Sequence, residues 1–135
     1  MKFYNPKDED FKEVLSYINP DKFLKRMLKT NELNKITENY GEDVYNLCHN
    51  SVAYILTQLQ NTYFIYQIKI AKGTFHNKDH SWIIAGEYFI DLTLAQFIKC
   101  PRLAITKKQE VEGYGINSIE SPEVYINKLK TEYNI

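Results

Sequence analysis

Apolar positions recur at helical spacing through the first half of the chain. Phe11, Val14, Leu15 and Ile18 make one stripe between Asn5-Pro6 and Asn19-Pro20, which predicts a helix over about residues 8 to 18. Pro20 suits a first helical position with Asn19 as its cap, and Phe23, Leu24, Met27 and Leu28 form the stripe of a second helix reaching about Lys29. A short third helix over Asn31 to Glu38 precedes a break at Gly41. Val52, Ile55, Leu56 and Leu59 then repeat at the same spacing, so a helix runs to Asn61-Thr62 with Cys48 in or just before its first turn.

Beyond Thr62 the period changes. Tyr63 to Ala71 is aromatic and β-branched, with Phe64, Tyr66, Ile68 and Ile70 alternating against polar neighbours, and reads as a strand ended by Lys72-Gly73. Thr74 to Asp79 is a short polar connection. Ser81 to Ala85 and Tyr88 to Leu92 form a hairpin around Gly86-Glu87. A turn or short helix at Leu94 to Phe97 leads to an extended run from Pro101 to Thr106, and residues 107 to 118 read as a surface excursion with Gly113-Tyr114-Gly115 a flexible turn. Ser121-Pro122-Glu123 opens a final helix carrying Val124, Ile126 and Leu129. The expected class is α+β, with the N-terminal helices and a Cys-bearing helix packed on a small antiparallel sheet.

Composition narrows the partners. At 135 residues, 44% hydrophobic and 25% charged, the chain fits one globular domain over residues 1–135. Seventeen basic against seventeen acidic residues leave no net charge, and no basic run is interleaved with aromatics, so nucleic acid is not an expected partner. The polar, acidic N-terminus lacks an apolar signal segment, and no stretch of about eighteen apolar residues predicts a membrane span. The expected location is the cytoplasm where the protein is made, with delivery that needs no cleaved signal left open. The two cysteines, Cys48 and Cys100, are expected as reduced thiols.

Candidate chemistry centres on Cys48, His80 and Asp91. A thiol attacks as thiolate, and unpaired N–H groups in the first turn of a helix favour that charge. An imidazolium beside the sulfur favours it further, and a carboxylate fixes the ring. A hairpin turning at Gly86-Glu87 sets Trp82 nearly opposite Asp91 and brings His80 within reach of the carboxylate. The Cys48 backbone N–H is the expected oxyanion donor, with Asn46 as second donor and Gln96 or Asn50 as alternatives, while Trp82 walls the site from water. Taken singly, each of the three is unremarkable: a buried thiol, a strand-end His, a turn-forming Asp. Their coincidence in order makes them a candidate catalytic triad. Cys48, His49, His76, His80 and Asp91 are of types that suit zinc, but the chain has neither a paired-Cys motif nor two His one helical turn apart, so no metal and no cofactor are assigned.

The blocks Cys48 to Leu56 and His80-Ser81-Trp82 followed by Tyr88-Phe89-Ile90-Asp91-Leu92-Thr93 and Gln96-Phe97 resemble the papain-like superfamily of cysteine hydrolases in its compact bacterial forms: transglutaminase-like proteins, glutamine deamidases and papain-fold toxin or effector domains. The likeness covers about residues 40 to 100. It implies a papain-like fold, with Cys48 as nucleophile, His80 as general base and then acid, and Asp91 as the orienting residue. Papain-type peptidases carry a Gln well upstream of the Cys, and none precedes Cys48 here, where Glu42, Asp43 and Asn46 stand. The expectation is therefore action on one side chain: deamidation of a Gln on a partner protein, with peptidase and transglutaminase chemistry as alternatives. An immunity or inhibitor protein is a further possible partner. The rival reading is a non-catalytic protein-binding module, as in a phage or mobile-element protein, since eleven Tyr and seven Phe suit a binding surface as well as a core.

Overall fold

The structure is a computed structural model that describes residues 2–5, 13–27 and 48–133. The expectations on Phe11, Leu28, the third helix at 31–38, Gly41 and Asn46 lie outside the described residues, as do the side chains of Leu24, Met27, His49 and Leu129.

The first stripe ends sooner than its period implies. Residues 13–15 are helical, and bonds from Ser16, Tyr17 and Ile18 N–H to the carbonyls three residues back close the turn. Leu15 and Ile18 are buried all the same. Helix α1, Pro20–Met27, starts where the sequence places it: Asn19 Oδ1 accepts from the N–H groups of Asp21 at 2.9 Å and Lys22 at 3.1 Å, satisfying donors the helix cannot. Helix α2, Cys48–Leu59, buries Val52, Ile55, Leu56 and Leu59 almost completely. At about 1.5–3 kcal/mol for each large aliphatic side chain buried, this stripe anchors the helix on the sheet.

The expected strand at 63–71 is corrected. Tyr63–Tyr66 is a 3-10 turn, in which Phe64 and Ile65 pack on the core while Tyr63 and Tyr66 are exposed. Thr62 N–H and Oγ1 both bond the Leu59 carbonyl, which turns the chain at the helix end before a strand can begin. Strand β1 is Ile68–Phe75 and runs through Lys72-Gly73 instead of ending there. The polar segment 74–79 is likewise not a loop. A two-residue turn at His76-Asn77, with φ of 47° and 66°, joins β1 directly to β2, Lys78–Ala85, paired from Phe75↔Lys78 to Ile68↔Ala85. Positive φ at both central residues is the type I′ pattern, which matches strand twist and which Asn tolerates.

The second hairpin forms as expected. Gly86, at φ 61°, leads the two-residue turn to β3, Tyr88–Asp91, with Ile83↔Ile90 and Ala85↔Tyr88 in register. A 3-10 turn at Leu94–Gln96 and β4, Ala104–Lys107, follow. Part of the expected surface excursion is instead β5, Tyr114–Glu120, which pairs with β1 and completes a five-stranded antiparallel sheet in the order β4-β3-β2-β1-β5. Close backbone approach makes this possible. A Cβ on Gly73 would stand 1.8 Å from the Gly115 carbonyl oxygen, where the β1–β5 register shifts. Gly73→Ala is therefore expected to cost about 2 kcal/mol of stability, read from the urea midpoint, and an unchanged midpoint would show that β5 is not held there.

Helix α3, Pro122–Tyr133, is capped by Ser121 Oγ accepting from Val124 N–H at 3.3 Å. Its inward face is Pro122, Tyr125 and Ile126, not the expected Val124, which is exposed. The architecture is α+β: α2 covers one face of the sheet through Ile68, Ile70, Ile83, Ile90 and Ile105, with α1 packed on α2 and α3 against β1. By strand alternation the other face carries Ala71, Phe75, Trp82, Ile84, Phe89 and Ala104, packed against Leu94, Phe97 and Tyr114. No helix among the described residues is long and apolar enough to cross a membrane.

Candidate active site

His80, the third residue of β2, shares a sheet face with Trp82 two positions on, and Asp91 closes β3 opposite Trp82 on that same face by continuation of the ladder. The two are diagonal neighbours, a spacing that long side chains bridge. His80 Nε2 lies 2.5 Å from Asp91 Oδ2, and both side chains are almost wholly buried. The other carboxylate oxygen, Oδ1, accepts from Thr93 N–H at 2.9 Å and from Thr93 Oγ1 at 3.4 Å. Tyr114 Oη donates to Oδ2 at 2.9 Å. A buried carboxylate needs this many donors to offset its lost hydration.

Burial by itself would lower the His80 pKa, because desolvation disfavours the charged ring. The charge and hydrogen bond of Asp91 outweigh it, and the Cys48 thiol adds smaller contributions of both kinds, so the pKa rises from 6.5 to about 9. Near neutral pH the ring is an imidazolium bonded to the Asp91 carboxylate. Nδ1 is buried and makes no hydrogen bond, while the nearby thiol contributes to raising the pKa of the ring. The thiol therefore lies near enough to influence the ring without a hydrogen bond to it.

Cys48 is 7% exposed, and its carbonyl accepts from the buried Ser51 hydroxyl at 2.8 Å. Its backbone N–H lies in the first described turn of α2. His80 and Asp91 are thus bonded to each other, and Cys48 lies near enough to influence the His80 ring without a hydrogen bond to it. Trp82, 1% exposed, stacks on the His80 ring with centroids 5.6 Å apart, and its indole Nε1 is buried without a hydrogen-bond partner. Phe97 meets the ring edge-on at 5.0 Å. Gln96 is half-buried in the Leu94–Gln96 turn, Asn50 is exposed on α2, and Asn46 lies outside the described residues. Cys48 and Cys100 are both free thiols. Burial, then the charge of Asp91, push the Cys100 thiol up to about 12, which keeps it protonated. Among the described residues no group of three or more His, Cys, Asp or Glu side chains is arranged to hold a metal ion.

Sequence reasoning missed Tyr114. Its signal was the aromatic residue set between Gly113 and Gly115, where the flanking glycines let the backbone come close to β1 and the His76 turn: Cβ atoms there would meet Thr74 Oγ1 and the rings of Phe75 and His76 at 2.9 Å. Gly113 also takes φ 104°, which a side chain would strain.

Set beside known proteins, the chain matches no protein-family model, no curated protein and no solved structure.

Proposed function

We propose that the chain is a cysteine-dependent hydrolase or acyltransferase of papain-like architecture, acting on a glutamine side chain of a partner protein, with Cys48 as nucleophile, His80 as acid and base, and Asp91 as orienting residue. The observation that carries this reading is the His80 ring itself: buried, charged near neutral pH, held through Nε2 by Asp91, and with its pKa raised further by the Cys48 thiol of α2. An imidazolium and a helix N-terminus both favour the thiolate.

The chemistry follows from these positions. The Cys48 sulfur attacks the side-chain amide carbon, and the oxygen gathers negative charge opposite the Cys48 backbone N–H. The carbon–nitrogen bond breaks as His80 gives its proton to the departing ammonia, leaving a thioester. Water, losing a proton to His80, attacks the thioester and releases glutamate and the thiol. An amine in place of water gives transamidation, and a backbone amide in place of the side chain gives proteolysis. Trp82 and Phe97, packed on the ring, keep bulk water from the imidazolium.

The test is iodoacetamide modification of Cys48 between pH 5 and 9, read at that residue by mass spectrometry, in the wild type and in His80→Ala. The expected result is rapid labelling at pH 6.5 in the wild type and labelling at least about tenfold slower in the variant. A thiol labelled equally slowly in both sinks the catalytic assignment. A gain of about 1 Da per modified glutamine on an incubated partner protein then separates deamidation from the other outcomes.

A second reading draws on the surface. Tyr63 and Tyr66 are 73% and 85% exposed, and Tyr66 borders a groove lined by Ile65, Ile68, Pro122 and Ile126 that includes none of the three candidate catalytic residues. A non-catalytic binding module would keep this aromatic surface and leave Cys48 inert.

A further inference from the structure

Tyr114 comes from neither of the strands that carry His80 and Asp91. It opens β5, at the far edge of the sheet from β3, and reaches the carboxylate across the face shared by Phe75 and Trp82. Its hydroxyl donates to Asp91 Oδ2 at 2.9 Å, the same oxygen that meets His80 Nε2 at 2.5 Å, and its ring lies 25° from parallel to the imidazole. Phenylalanine would fill the same core space, so the hydroxyl is what distinguishes this position. Burial and the neighbouring charge of Asp91 hold the Tyr114 pKa well above 10, which leaves it a donor at any ordinary pH.

We propose that Tyr114 is a positioning residue of the Cys48–His80–Asp91 centre: its hydroxyl orients the Asp91 carboxylate and sets how tightly His80 holds its proton. The catalytic meaning of this rests on the function proposed above. Two donors share one carboxylate oxygen, so each moderates the pull of that oxygen on the other. Without the tyrosine hydroxyl, the negative charge at Oδ2 falls on the His80 N–H alone, and the ring gives up its proton less readily to a leaving amine. The groups that face His80 are Asp91 from β3, Cys48 from α2 and, through Asp91, Tyr114 from β5; Cys100, which burial and the charge of Asp91 keep protonated, stays a neutral thiol beside them.

The experiment follows the His80 ring by NMR between pH 5 and 11 in the full chain, in the wild type, in Tyr114→Phe, and with 3-fluorotyrosine in place of Tyr114. Phenylalanine keeps the ring and removes the donor; fluorination makes the hydroxyl a stronger donor. The expected result is a His80 pKa raised by at least about half a unit in Tyr114→Phe, roughly threefold tighter proton binding, and lowered by the fluorinated ring. A role confined to packing moves neither, and unchanged titrations, or shifts of the same sign in both, overturn the proposal. Should Tyr114→Phe fail to fold, the fluorinated protein decides alone: a lower pKa supports the role and an unchanged one overturns it. An inert Cys48 with a responsive His80 removes the catalytic reading only, whereas a reactive Cys48 with an unresponsive His80 removes the role of Tyr114 only.

Discussion

Asp91→Ala is expected to lower the unfolding free energy by about 3–5 kcal/mol, the range for removing one partner of a buried ion pair. The carboxylate is 2% exposed and receives Thr93 N–H, Tyr114 Oη and His80 Nε2. Removing it strips these three donors and the Thr93 hydroxyl of their acceptor in the buried interior. His80, also 2% exposed, would then shed its proton, since burial disfavours a charged ring with no counter-charge. Asp91→Asn is expected to cost less, because the amide oxygen still accepts from Thr93 while the amide nitrogen faces a ring that must turn acceptor. Urea unfolding followed by circular dichroism measures both. A variant Asp91→Ala within about 1 kcal/mol of the wild type would mean the carboxylate is better hydrated than this geometry allows.

The second large effect is a dependence of stability on pH. His80 binds its proton with a pKa of about 9 in the folded chain, against 6.5 as the ordinary histidine value. A raised folded-state pKa stabilises fully below the unfolded value and is lost as pH climbs through the folded one. Stability is therefore expected to be greatest near and below pH 6.5 as far as this group is concerned, and to fall between there and about pH 9.5 by on the order of 3 kcal/mol. The fall should flatten in Asp91→Asn, because the carboxylate charge is the largest of the effects raising the pKa. A profile with no decline across that window in the wild type would show that the ring is neutral when folded.

Much of the site was legible in the chain because local rules govern it. The Gly86-Glu87 turn fixes the pairing of β2 with β3, and a period of two then puts His80, Trp82 and Asp91 on one face by arithmetic. Asn19-Pro20 and the Val52 to Leu59 stripe mark their helices through capping and apolar spacing. Where the sequence misled, two local signals competed. The aromatic alternation from Phe64 to Ile70 mimics a strand, but its first turn answers to the helix end at Leu59 and not to a ladder. Polar residues from Thr74 to Asp79 look like a loop, yet an Asn able to take positive φ lets the strands run to within two residues of each other.

The sequence by itself determined the α+β class, the Cys-first helix, and the register that faces His80 toward Asp91, since these depend on neighbours a few residues apart. Only the tertiary structure decided that β5 joins β1 and that Tyr114 closes on Asp91 from 23 residues away. Those contacts form between segments with no local coupling. They arise because Gly73 and Gly115 admit close backbone approach, and because a buried charge gathers every donor the fold can bring to it.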